Sequence, residues 1–168
     1  MRIIGIDPGS LRTGFGIIET LPGGRLRHVE HGCLQLGRQP FLERLAQIHQ
    51  RLRAIVQEFR PETAAIEAVF LARNADSALK LGQARGAALV ALLDAALPVA
   101  EYSALQIKKA TVGAGHADKT QVEHMVRRLL GIGEGIQADA ADALACAICH
   151  AHCQGTQNFW AAREIGGQ

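Results

Sequence analysis

The first eighteen residues, MRIIGIDPGSLRTGFGII, constrain the fold more than any other stretch. Ile3, Ile4 and Ile6 form a short β-branched run that stops at Asp7, and Pro8-Gly9-Ser10 breaks it. A second β-prone run, Phe15-Gly16-Ile17-Ile18, follows Arg12-Thr13-Gly14. Two such runs around Gly/Pro punctuation read as a hairpin. The position of Asp7 matters more. A carboxylate that closes a buried strand is costly to desolvate unless a cation, a donor or water meets it. Either Asp7 accepts hydrogen bonds from the turn amides, as Asp often does, or it faces a site. The rest of the chain must decide.

At 168 residues the chain has room for one domain with a real core. Apolar residues make up 48% and charged residues 20%, which excludes a disordered chain. The longest apolar stretch, 86–100, is broken by Asp94 and Pro98 and is too short to span a bilayer. The N-terminal apolar run is only a few residues long and contains an Asp, unlike a signal peptide. A cytoplasmic location is the expectation. The formal charge of +2 says little about partners, so the placement of basic residues must carry that question.

Further along, a third strand is expected over 26–36, making an antiparallel meander. The period then changes. Leu42, Leu45, Ile48, Leu52, Ile55, Val56 and Phe59 recur every three or four residues, an amphipathic helix between Pro40 and Pro61. The segment 63–67 is a short strand, and it too ends on a carboxylate, Glu67. A long helical pattern over 75–97 carries Gly82 and Gly86. Each glycine there costs about 0.5–1 kcal/mol relative to Ala, so that backbone is expected to pack closely on a core strand or a second subunit. A fifth strand, 98–102, leads to a short helix capped by Ser103. Thr120 and Glu123 have capping-box form, with Asp118 as a competing cap. A last helix starts near Ala138 and passes His150. The folded domain is thus expected over 1–154, with a polar tail over 155–168, in one mixed sheet with helices on its faces.

Cys146, Cys149, His150, His152 and Cys153 superficially have metal-ligand spacing. The three cysteines nevertheless fall at i, i+3 and i+7 in an Ala-rich helix, as buried small residues do. A core role, without zinc, is the expectation.

Four acids stand at element ends: Asp7, Glu67, and the pair Asp139 and Asp142, which share one helical face. Helix N-termini favour anions by about 0.3–1 kcal/mol, which accounts for the aspartates alone. It explains neither the surrounding alanines, Ala138, Ala140, Ala141 and Ala143, which leave nothing bulky to obstruct a ligand's approach, nor two strands that also end in acids. Hard divalent ions take oxygen ligands, typically a few carboxylates plus substrate phosphate. Four converging acids can hold two such ions, the arrangement that clamps the attacking and leaving oxygens of a phosphodiester.

The segments IGIDPGSLRTGFGII, AIEAVFLARNADSALKLGQARGAALVA and ADAADALACAI resemble the RuvC family of Holliday-junction resolvases, in family order and over nearly the whole chain. The resemblance implies an α/β, RNase H-like fold: a mixed five-stranded sheet, antiparallel meander plus parallel strands, with helices on both faces. It also implies a homodimer that makes paired, Mg²⁺-dependent nicks in four-way junction DNA, leaving 5′-phosphate ends. Two Mg²⁺ per site are expected, with Mn²⁺ able to substitute, beside a branch-migration motor of the RuvA and RuvB type. Asp7, Glu67, Asp139 and Asp142 match the family's catalytic, metal-holding acids. Lys108 and Lys119 match lysines near the scissile phosphate, and Phe70 matches an aromatic that stacks on unpaired bases, worth roughly 1–3 kcal/mol per base. Lys109, Arg73, Lys80 and Arg85 extend the basic surface as DNA contacts, although each taken alone reads as a solvated charge. Two other classes compete. A non-catalytic junction-binding module would have no use for converging acids, and an actin-like phosphate-loop ATPase would need a second domain.

Overall fold

A computed structural model describes residues 1–68 and 74–165, with side chains as far as 155. β1 (Arg2–Asp7) and β2 (Arg12–Thr20) form the predicted hairpin, with Asp7 opposite Gly14. β3 (Leu26–Gln35) runs antiparallel to β2 and completes the meander. There follow α1 (Phe41–Phe59), β4 (Thr63–Ala68), α2 (Ala75–Leu93), β5 (Val99–Ser103), α3 (Ala104–Val112), α4 (Lys119–Leu130) and α5 (Ala138–Ile165). β4 lies parallel to β1 and β5 parallel to β4, which gives the sheet order β3-β2-β1-β4-β5. This is the mixed five-stranded sheet expected.

Alternation along β1 divides the core in two. Ile4 and Ile6 pack with Ile48, Leu52, Ile66 and Leu92 on the face covered by α1 and α2. Ile3 packs with Val126, Leu144 and Ile148 on the face covered by α3, α4 and α5. Each of these side chains contributes about 1.5–3 kcal/mol on burial. Cys146 and Cys149 are fully buried in the second cluster, and Cys153 packs against it, so the cysteine face is core as predicted.

The alanines around Asp139 and Asp142 have a structural cause. A Cβ on Gly5 would stand 2.0 Å from the Ala143 carbonyl oxygen, and one on Gly14 would stand 1.9 Å from that of Asp139. Bare strand backbone and small helix residues let α5 lie directly on β1 and β2. Ala140, Ala141 and Ala143 are accordingly buried, so they serve close packing rather than open approach.

Three boundaries differ from expectation. α2 ends at Leu93, not Leu97, because the chain reverses through Ala96 in the left-handed region (φ 55°) to enter β5. Asp118, not Thr120, caps α4: its carboxylate accepts from the Gln121 amide at 2.8 Å, while Gln121 accepts from the Asp118 amide at 2.9 Å. α5 continues past Gly155 to Ile165. Among the described residues no helix is long and apolar enough to cross a membrane.

Candidate active site

The alternation that sorts the core also aims the strand acids. Ile3 and Gly5 face α5, and Asp7 follows them on that side; Ala65 faces α5, and Glu67 follows it. β1 and β4 stay in register to Ile6–Ile66, so Asp7 and Glu67 come next, side by side where these two inner strands end, along the carboxyl-terminal edge of the sheet. Gly14 seats the first turn of α5 over that edge, bringing Asp139 and Asp142 to the same place. The two aspartates are 29% and 28% exposed, so this helix start is half-buried rather than open.

Charge crowding follows. Burial, then the charges of Asp142, Glu67 and Asp139, push the Asp7 carboxyl up to about 8, against the pull of Lys119. Burial and Asp142 raise Glu67 as well, opposed by Lys119 and Lys108. Asp142 in turn raises the Lys119 ammonium, which donates to its Oδ2 at 3.2 Å. Asp118 as the cap of α4 is what makes Lys119 the first helical residue beside this site. Lys108, Lys119, Glu67 and Asp142 line a common cleft of about 210 Å³.

The other predicted basic residues fare differently. Lys80 pairs with Asp76 at 2.7 Å on the first turn of α2. Arg85 donates to the Glu67 carbonyl oxygen at 3.2 Å and pairs with Glu101, so it braces the end of β4 rather than standing free. Lys109 is exposed in the last turn of α3 and does not line the cleft. Phe70 and Arg73 lie outside the described residues.

Two neighbours of Asp139 escaped sequence reasoning. Arg12 brings a guanidinium nitrogen to 3.8 Å from Asp139 Oδ2. Cys33 donates its thiol to the same oxygen at 3.7 Å and accepts from Gln35 Nε2 at 3.5 Å. Burial and Asp139 push that thiol up to about 11. The link runs through Gly14, which pairs with Cys33 in the sheet and touches Asp139. Only the register reveals it.

An all-carboxylate, half-buried and mutually repelling donor set suits a hard divalent cation. Among the described residues no three acid, imidazole or thiol groups form a ready-made ligand cage. Ions such as Mg²⁺ do not need one, since substrate phosphate and water supply much of their shell.

A family model described as crossover junction endodeoxyribonuclease RuvC matches residues 3–150. The chain belongs to the RuvC family. A RuvC-family relative from Marinobacter nauticus is 56% identical over 150 residues, 89% of this chain and 85% of its own length. Another, from Geobacter metallireducens, is 55% identical over 160 residues, covering 95% of this chain and 97% of its own. The solved structure of Thermus thermophilus RuvC in complex with a Holliday junction substrate superposes with a TM-score of 0.86 at 38% identity, covering 92% of this chain and 94% of that one. The fold is therefore RNase H-like, and the chain is an endonuclease that hydrolyses phosphodiester bonds. RuvC-family nucleases are metal-dependent. The match across residues 3–150 sets aside the ATPase alternative.

Proposed function

We propose that this chain resolves Holliday junctions in DNA recombination and repair by paired, symmetric nicks. The observation that carries this reading is the convergence of Glu67, Asp139 and Asp142 on the buried Asp7, whose burial and then whose acidic neighbours push it up to about 8. A binding module has no need of such a cluster. In this reading the four acids hold two Mg²⁺ ions, for which Mn²⁺ substitutes. When bound, such ions polarise the scissile phosphate and acidify the attacking water. Lys108 and Lys119, across the cleft, neutralise the phosphate and blunt the repulsion between DNA and the acids. Phe70, Arg73, Lys80 and Lys109 are assigned to the wider DNA surface. Arg85 acts on the site by fixing the Glu67 backbone.

Paired cuts need two sites related by a two-fold axis, and α2 is the proposed dimer face. A Cβ on Gly82 or Gly86 would meet nothing within 4 Å, so neither glycine packs on a core strand of its own chain. On the same side of the helix Leu79, Val90 and Leu93 are 63%, 50% and 59% exposed. A branch-migration complex of the RuvA and RuvB type and a cytoplasmic location complete the reading. The test is to incubate the protein with a synthetic four-way junction and Mg²⁺ and to map the nicks. Symmetric cuts in two opposed strands with 5′-phosphate ends are expected. Binding without cutting would favour the non-catalytic module.

A further inference from the structure

Lys108 and Lys119 guard only one flank of the acids, the side of Glu67 and Asp142. Beyond Asp139, on the opposite flank, a cleft of about 620 Å³ opens between the β1–β2 turn and the segment joining β3 to α1. Leu11 and Arg12 lie on one side of it, Arg38 and Gln39 on the other, and Gln35, the strand partner of Arg12, joins them. Among the described residues the lining contains two guanidinium groups and no acid. Arg12 is 63% exposed and brings a guanidinium nitrogen to 3.8 Å from Asp139, so one side chain borders both the cleft and the acid cluster.

The two sides are tied together from behind. Arg44 donates from Nε to the Gln39 carbonyl at 2.6 Å, and from its two terminal nitrogens to Ser10 at 3.3 Å and Gly37 at 3.4 Å. The Leu36 amide adds a bond to the Leu11 carbonyl at 3.0 Å. One arginine thus spends its donors on backbone from both walls, while the exposed Arg38 keeps its own for solvent or a ligand. Guanidinium forks match phosphate oxygens, glutamine amides can reach sugar and phosphate oxygens, and the 56% exposed Leu11 offers an apolar face to a sugar.

We propose that this cleft is a DNA subsite in which Arg12 and Arg38 hold phosphates of the cut strand on the Asp139 side of the scissile bond. The strand is then gripped on both flanks of the acids. The proposal rests on the nuclease reading above and adds a strand path to it.

Junction binding by the full-length protein, measured without divalent metal across a range of salt, separates the subsite from the chemistry. Arg38→Gln should lower the log–log salt slope by about one unit and weaken binding several-fold. Arg51→Gln, which removes an exposed arginine on α1 outside the cleft, should leave the slope nearly unchanged. Arg38 is exposed in a loop, so the melting midpoint should hold. A scan of single neutral methylphosphonate linkages through the cut strand then locates the contact. One linkage flanking the cut should weaken wild type, yet have no further effect on Arg38→Gln. Wild-type affinity and slope in Arg38→Gln, or a scan in which both proteins respond alike, would overturn the subsite. A wild-type protein that binds no junction would overturn the nuclease reading, and the subsite with it.

Discussion

β4 and α5 meet at two places, and the two are built in opposite ways. At the start of β4, Thr63 Oγ1 lies 3.0 Å from His150 Nε2 and donates to the Pro98 carbonyl at 3.1 Å. From β5, level with Glu67, Tyr102 reaches back to set its hydroxyl 2.8 Å from His150 Nδ1. Burial lowers the His150 pKa and favours the neutral ring, so this end carries polar groups that satisfy one another. At the other end Asp7 faces Asp142, Glu67 and Asp139, with Lys119 and Lys108 as the opposing charges. Paired polar groups hold elements together. Crowded like charges raise each other's pKa and call for a counter-charge from outside the chain. The same strand and helix therefore provide a strut at one end and the proposed active site at the other.

Replacing an acid should break the second end without touching the first. Glu67→Gln or Asp142→Asn should still bind a four-way junction. Nicking should fall by about three orders of magnitude, as losing several kcal/mol of charge stabilisation requires. Single-turnover nicking of folded protein is the check, and near wild-type rates would remove these residues from the chemistry. His150→Ala should do the reverse. Leaving Thr63 and Tyr102 short of a partner costs about 1–3 kcal/mol, seen as a lower denaturant midpoint, with the nicking rate per folded molecule unchanged. A loss of rate with full stability would mean that the two ends are not separable. The smallest effect sharpens the picture at Asp139. A thiol is a weak donor, so Cys33→Ala should slow nicking only about two- to threefold, an effect worth under about 1 kcal/mol. An unchanged rate would show that the contact does not position Asp139.

Much of this architecture was legible because it rests on local rules. The β-branched runs of the hairpin, the apolar period of α1, the Ser103 cap of α3 and the acid at the ends of β1 and β4 are all written in neighbouring residues. What was hidden depends on register and on contact between distant elements. The alanines beside Asp139 read as room for a ligand until Gly5 and Gly14 showed how closely α5 approaches the sheet. Arg12 and Cys33 reach Asp139 only because β2, β3 and α5 converge. Arg85 read as a DNA contact from its charge, but three-dimensional proximity gives it to Glu67 and Glu101. Phe70 and Arg73 carry sequence arguments alone.

In the proposed active site the fold holds the acid cluster against its own repulsion, and a cation completes it. Thermal unfolding against pH, with and without Mg²⁺, tests it most directly. The Asp7 carboxyl sits at about 8 in the folded chain against an ordinary value of 3.8. The folded state therefore binds that proton more tightly, and the stability it confers is full below about pH 4 and lost as pH rises through about 8. Without divalent metal, the wild-type midpoint should fall between about pH 5 and about pH 8. Added Mg²⁺ should restore it, and more at the higher pH. Asp7→Asn should melt above wild type at the higher pH and gain little from Mg²⁺. A flat wild-type profile with no response to the cation, together with an Asp7→Asn protein that melts lower, would contradict the account.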